Sequence, residues 1–437
     1  MFNQSWPRAI LLLDGDAFFA SCEQAVDPAL LGKPVVTGKE RNIVSAASYE
    51  ARALGITRGV TLWDAKKRCP QLVVLPSDYE TYSIFSKRVF EIMRRYTPTV
   101  EEYSIDEGFA DLTGLRRLHH LNYRDITKKM QLEIHKELGI TVSAGLSITK
   151  TLAKIAAKKQ KPAGFTAISG RDLPTALSDL LVGDIWNIGP STAELLNRFG
   201  IKTAEQFAGA SLEQVGKILT KPGVAVWNEI NGRMVYPVAV QQGAPVQSIS
   251  KMKTFTPPSN NKSYVYSQLM KNLDNACAKA RRHLLLAKKI IIVLRKNDFR
   301  TYGLEAKLSR PSAFPLELSS VVEELFMKTY EKDIFYRATG VLLVDLMGNT
   351  VFQPSLFDDT VKIEKILFAY RAIDELREKY GKYVICQGSA LSSVVSPAHS
   401  GGENSGGRCA EPDRKKRLLK GETKRRHLPL PLFRGTV

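Results

Sequence analysis

Apolar positions in the first 170 residues follow two periods. Ala9 to Leu13 is an unbroken apolar run ending on Asp14; Val35-Val36 and Ile43-Val44 are short apolar pairs, and Thr141 to Ile148 is another extended segment. These read as strands. Between them, Phe85, Val89, Ile92, Met93 and Tyr96 recur at helical spacing, as do Ile126, Met130, Ile134 and Leu138 further on. Each set predicts an amphipathic helix. Val100 to Tyr103 and Gly108 to Leu112 predict a hairpin. A hairpin bracketed by helices on an antiparallel sheet is α+β in character.

The pattern changes twice more. From Leu173 to Pro237 it is mostly helical, and Asp184-Ile-Trp-Asn-Ile-Gly-Pro-Ser-Thr-Ala-Glu-Leu-Leu ahead of Phe199-Gly200-Ile201 has the shape of a helix-hairpin-helix. There Gly189 and Pro190 mark the turn, Thr192 is a candidate cap and Gly200 a stop. Amides of such a turn can hold a backbone phosphate. From Val246 to Leu346 the predicted order is strand (Ser248 to Phe255), helix (Ser263 to Leu286), strand (Lys289 to Leu294), strand (Leu304 to Leu308), helix (Leu316 to Tyr330) and strand (Thr339 to Leu346). That order is a split βαβ module. Ile363, Ile366, Leu367, Tyr370, Ile373 and Leu376 predict one more helix. The Gly/Ser-rich stretch Ser396 to Gly407 and the basic run Arg414 to Arg426 cannot bury enough surface to order themselves. The terminal Leu428-Pro-Leu-Pro-Leu-Phe433 is a docking peptide or a returning strand.

At 437 residues the chain suits about three domains of roughly 150 residues each. Its 63 Lys and Arg against 44 Asp and Glu leave a net charge of +19, which favours a polyanionic partner, nucleic acid foremost. The basic residues of the third module, among them Lys251, Lys253, Arg295 and Lys296, are candidates to track a phosphate backbone. Five cysteines (Cys22, Cys69, Cys277, Cys386 and Cys409), odd in number and widely spaced, indicate neither a disulfide framework nor a zinc site. No apolar run is long enough for a signal peptide or a membrane span, so the expectation is a cytoplasmic protein with no membrane partner.

The chemistry is signalled by Ser104-Ile105-Asp106-Glu107 read with Asp14-Gly15-Asp16. Both carboxylate sets sit at strand ends. Carboxylates delivered to one sheet edge repel each other unless cations lie between them, and the common solution is a magnesium pair about 4 Å apart serving phosphoryl transfer.

With these motifs in place, the chain resembles the Y-family translesion DNA polymerases in their bacterial form. The resemblance rests on Asp14-Gly-Asp-Ala-Phe-Phe-Ala-Ser-Cys-Glu23, Gly32-Lys-Pro-Val-Val36, Tyr49-Glu-Ala-Arg52, Ser104-Ile-Asp-Glu107, Ala153-Lys-Ile-Ala-Ala157, Lys161-Pro162 and the helix-hairpin-helix, in family order over the first 200 residues. It implies a multidomain right-hand fold: palm at 1–22 and 78–172 with a βαββαβ-like antiparallel sheet, small fingers at 23–77, helical thumb at 173–240, split-βαβ little finger at 246–347, and a mobile tail at 348–437. It further implies a low-fidelity DNA-directed DNA polymerase for translesion synthesis, DNA repair and the SOS response. Two Mg²⁺ ions would be held by Asp14, Asp106 and Glu107 with the Gly15 carbonyl; Asp16 is not a ligand in the family pattern. Tyr49, Arg52 and Lys161 match residues that hold the incoming deoxynucleoside triphosphate. Phe19 matches the aromatic steric gate, next to Phe18. Ala46, Ala47 and Gly59 fall where the fingers roof the nascent base pair.

Gln353-Pro-Ser-Leu-Phe357 resembles a bacterial sliding-clamp-binding peptide in which Gln353, Leu356 and Phe357 fill the pocket, although Pro354 stands where Leu is more usual. The expected partners are primer-template DNA, deoxynucleoside triphosphates and the clamp, with a monomeric chain and room for an accessory subunit. Tyr49-Glu-Ala-Arg52 and Lys161-Pro162 are similar to DNA polymerase IV. Ile185-Trp-Asn-Ile-Gly189 and Leu-Phe-Asp-Asp359 are similar to the catalytic subunit of DNA polymerase V, and Asn187 replaces the first glycine of the usual hairpin turn. Two other classes compete. A non-catalytic DNA- and clamp-binding scaffold is disfavoured by the intact acidic and triphosphate residues. A nucleotide cyclase on a related palm has no use for the helix-hairpin-helix or the basic third module.

Overall fold

The computed structural model describes residues 6–240, 246–349, 359–380 and 384–391. The chain divides into two compact units at residues 242 and 243. In the first, β1 (Ile10–Gly15) leads into α1 (Phe18–Val26). A small three-stranded excursion follows: β2 (Val35–Thr37), β3 (Ala46–Ala47), α2 (Tyr49–Ala53), α3 (Leu62–Arg68) and β4 (Val73–Leu75). The chain then continues through α4 (Tyr79–Tyr96), β5 (Val100–Glu102), β6 (Glu107–Asp111), α5 (Arg116–His119), α6 (Tyr123–Leu138), β7 (Val142–Ser147), α7 (Lys150–Lys159) and β8 (Phe165–Ala167).

Five strands pair in the order β5-β6-β1-β7-β8, and β1 is central and antiparallel to both neighbours. Its unbroken apolar run follows from this position. Leu11 and Leu13 face the core under α4 and α6, while Ile10 and Leu12 face Ala153 and Ala157 of α7. A strand buried on both sides has no polar face to alternate with. The sheet is not wholly antiparallel, because β8 pairs with β7 in parallel. Helix α7 crosses over between them, and a crossover returns the chain in the same direction.

The excursion has its own small core of Val36, Val44, Ala47, Ala51, Ile56, Leu62 and Ala65. The expected strand at Ile43-Val44 reduces to one bridge, Ile43 with Thr61, and the paired residues are Ala46-Ala47 instead. Helices α8 (Leu173–Leu177), α9 (Pro190–Arg198), α10 (Ala204–Gly209), α11 (Leu212–Ile218) and α12 (Lys221–Ile230) enclose a core containing Leu196, Phe207 and Trp227. Thr192 does not cap. Gly189 occupies the cap of α9 without a side-chain bond, Pro190 opens the helix, and Thr192 lies inside it. Asn187 takes positive φ (70°), a conformation its short polar side chain tolerates.

In the second unit β9 (Ser248–Ser259), α13 (Lys262–Arg282), β10 (Leu285–Lys296), β11 (Thr301–Ser312), α14 (Pro315–Thr329) and β12 (Tyr336–Gly348) build an antiparallel sheet of order β11-β10-β12-β9 with both helices on one face. The chain is already in β10 at Leu285 and Leu286, which the sequence pattern assigned to the helix. His283 caps α13 and Leu284 turns at positive φ (54°), so the apolar pair serves the strand. Beyond the sheet, α15 (Thr360–Tyr380) packs Ile366 and Tyr370 against Phe314. Two crossed ion pairs seat it: Arg281 with Asp374, and Arg377 with Asp274, each at 2.7 Å. Part of the expected tail thus belongs to this unit, whereas 353–357, 396–407, 414–426 and 428–433 lie outside the described residues.

Candidate active site

Antiparallel register sets Asp14 of β1 directly across from Glu107 of β6. Facing residues in such a pair hold their Cβ atoms about 5 Å apart. The turn before β6 is built on Ser104, whose Oγ accepts from the amides of Asp106 (3.3 Å) and Glu107 (3.1 Å) and donates to Asp106 Oδ1 at 2.6 Å. The Gly15 amide donates to the Asp106 carbonyl at 2.8 Å, fastening the turn to β1. Asp14, Gly15, Asp106 and Glu107 therefore meet at one sheet edge.

Two lysines close on this edge. Lys161 Nζ reaches Asp14 Oδ1 at 2.5 Å, and Lys154 Nζ reaches both Glu107 oxygens at 2.7 and 2.6 Å. Burial pushes the Asp14 carboxyl above its usual range; Lys161 opposes the rise and Glu107 adds to it. The edge gathers three carboxylates, Asp14, Asp106 and Glu107, against two lysines, and its donors are all hard oxygens. That donor set fits a hard divalent cation. With Asp14 and Glu107 engaged by lysines and Asp106 by Ser104, no group of three acidic, His or Cys side chains among the described residues stands arranged as a cation cage.

Asp16 is apart from this group. It is 1% exposed, and each of its carboxylate oxygens accepts a hydrogen bond at 2.7 Å, one from Ser143 Oγ and one from the Ala163 amide. Tyr49 arrives from α2, which Ser48 caps and pins to β2 through the Val35 amide. Its hydroxyl pKa is raised by burial and then by the negative charge of Asp16. Arg52 stands 4.7 Å from the Tyr49 ring and donates from Nε to the Ala47 carbonyl at 3.0 Å. Lys161 thus reaches Asp14 directly, Tyr49 lies within the field of Asp16 and Asp14, and Arg52 is placed against Tyr49.

Phe18 and Phe19 part company. Phe18 is buried in the core under α4, and Gly15 leaves room for its ring, since a Cβ there would lie 2.8 Å from it. Phe19 is half-buried, stacked on Tyr82 at 4.3 Å with Tyr79 edge-on at 5.4 Å. Ala46 and Ala47 form β3, and an added Cβ at Gly59 would meet open space.

The basic candidates of the second unit do not share a sheet face. Lys251 and Lys253 pair with Val341 and Thr339 and so point with Ile249 toward the helices, whereas Arg295 pairs with Ala338 on the uncovered side. Period-two alternation within β9 and β10 dictates this. Arg295 bonds Thr301 Oγ1 at 3.0 Å, and Lys296 is held by Glu331 at 2.9 Å. Lys289 and Lys307, cross-strand partners, join Arg295 on the uncovered side. Gly189 is exposed at the start of α9.

Sequence reading missed Lys154 as a neighbour of Glu107. The signal was present in the i, i+4 spacing of Lys150 and Lys154 on a helix whose Ala153 and Ala157 face the sheet. It missed Trp186 as well, which packs on Tyr103 at 5.3 Å and Phe109 at 5.7 Å; nothing local ties these residues together.

Comparison with known proteins settles the family. Residues 13–158 match the impB/mucB/samB family, and residues 246–356 match its C-terminal domain. The chain is 32% identical over 397 residues to DNA polymerase IV 1 of Bacillus subtilis, covering 89% of this chain and 94% of that protein. The chain belongs to the Y-family translesion DNA polymerases. DNA polymerase IV of Moorella thermoacetica is 33% identical over 391 residues, covering 88% of this chain and 97% of that protein. A Y-family chimera of Dbh and Dpo4 shares the fold with a TM-score of 0.66 at 24% identity, over 78% of this chain and 100% of that one. This Y-family member is a bacterial-type DNA-directed DNA polymerase, and the family works with divalent metal ions. No helix among its described residues is long and apolar enough to cross a membrane.

Proposed function

We propose that this polymerase extends a primer by two-metal phosphoryl transfer at the Asp14, Asp106 and Glu107 edge, with low fidelity and in the bacterial cytoplasm. The reading is carried by Asp14 and Glu107 facing each other in register, with Asp106 fastened beside them at the same sheet edge. Asp14, Asp106, Glu107 and the Gly15 carbonyl would hold two magnesium ions. Held by these residues, such ions would supply positive charge to lower the pKa of the primer 3′-hydroxyl and to offset charge on the departing pyrophosphate. The chain's own groups do the rest. Lys161 exchanges Asp14 for a triphosphate oxygen as a point charge, and Arg52 offers a forked donor. The Tyr49 hydroxyl stays protonated and can donate to a triphosphate oxygen. Phe19 lies under the sugar and excludes a 2′-hydroxyl, while Phe18 backs it from the core. The small residues Ala46, Ala47 and Gly59 leave the base-pair roof loose, which weakens shape discrimination.

DNA is held by the exposed turn at Gly189 and by cations of the second unit, where Arg295, Lys251, Lys253 and Lys296 remain the assigned contacts. Gln353, Leu356 and Phe357 dock on a sliding clamp, and the chain works as a monomer. Primer extension with magnesium and four deoxynucleotides tests the core of this reading. Asp106→Ala and Glu107→Ala should each lower extension by at least about 10³-fold while primer-template affinity stays within about twofold. Substantial extension by either variant refutes the assignment.

A further inference from the structure

Lys154 is set into the molecule more deeply than a surface ion pair. Its side chain is 12% exposed and that of Glu107 is 17% exposed. Two aromatic faces stand beside the ammonium, Tyr103 at 5.7 Å and Trp186 at 5.5 Å from Nζ. Tyr103 and Trp186 pack edge-on against each other, and Phe109 closes the cluster behind them. One helical turn earlier, Lys150 pairs with Glu101, so α7 presents two cations to β5 and β6.

A divalent cation approaching Glu107 meets a positive charge already bonded to both oxygens. It must overcome repulsion from that charge and break the two-point contact. The ammonium has an alternative site within reach, because cation–π attraction to Tyr103 and Trp186 retains part of its stabilisation away from the carboxylate.

We propose that Lys154 is a displaceable counter-ion for Glu107: a positioning residue that holds the carboxylate while no metal is present and moves onto the Tyr103 and Trp186 faces when a divalent cation binds. It sets a threshold against loading metal before DNA and nucleotide arrive. The proposal rests on the reading of Glu107 as a metal ligand. The test measures Mn²⁺ binding to the full-length protein by electron paramagnetic resonance, without DNA or nucleotide. Lys154→Met fills the aromatic cluster but carries no charge, and it should bind Mn²⁺ at least about fivefold more tightly than the unaltered protein. Lys154→Arg keeps the charge and should not tighten binding; thermal melts verify that both variants are folded. Equal or weaker binding by a folded Lys154→Met, or no measurable binding by either it or the unaltered protein, overturns the proposal. Glu107→Gln separates the two readings. If it loses Mn²⁺ while Lys154→Met leaves affinity unchanged, only the role of Lys154 falls. If Glu107→Gln binds as tightly as the unaltered protein, the ligand assignment falls and takes this proposal with it.

Discussion

Two phenylalanines adjacent in the chain show how one position on a helix separates packing from function. Successive residues on α1 point about 100° apart, so Phe18 and Phe19 cannot both enter the same core. Phe18 fills it, and Phe19 leans on Tyr82 and Tyr79 with part of its ring exposed. Truncating Phe19 should therefore cost less than the roughly 3–5 kcal/mol of a fully buried Phe. Phe19→Ala is expected to keep deoxynucleotide incorporation and to raise relative ribonucleotide use by at least about tenfold, read as the ratio of kcat/KM values. An unchanged ratio in a folded variant removes the steric-gate role. Both rings were named as candidates from the motif alone, but which of them meets solvent depends on α4, sixty positions away, and on the ring space left at Gly15.

At the scale of elements, the contact between β7 and α7 decides how well the edge is assembled. Gly145 lets the helix lie directly on the strand: an added Cβ would fall 2.0 Å from the Ala153 carbonyl and 2.3 Å from the Ala157 amide. Neither backbone atom can turn aside. Gly145→Ala should destabilise by about 1–3 kcal/mol, visible as a lowered Tm. It should also lower extension in the fraction that stays folded, because α7 leads directly into Lys161. A melting temperature and activity equal to those of the unaltered protein dispose of that argument. Periodicity made the helix and the strand legible separately, and Ala153-Lys-Ile-Ala-Ala157 stood out as a motif. That its alanines pack on Ile10 and Leu12 required the sheet.

Across the whole molecule, 353–357 joins β12 to α15, and α15 is pinned by Arg281–Asp374 and Arg377–Asp274. Both ends of the linking segment are thus tied to the same unit. Deleting residues 353–357 should spare the basal extension rate and reduce stimulation by a sliding clamp, since tethering raises effective concentration rather than chemistry. Clamp stimulation that survives the deletion refutes the docking assignment. By itself the sequence determined the family, the order of its modules, most of the strands and helices, and the identity of the acidic edge, because apolar periodicity and short motifs are local properties of the chain. The tertiary structure alone decided that Glu107 faces Asp14, that Lys154 sits on Glu107 beside Trp186, that Asp16 turns into a buried hydrogen-bond set, and that Lys251 and Arg295 lie on opposite sides of one sheet. These are matters of strand register and of contacts between segments up to about 150 residues apart. A one-residue slip in register reverses every side chain, and no local pattern records which register is used.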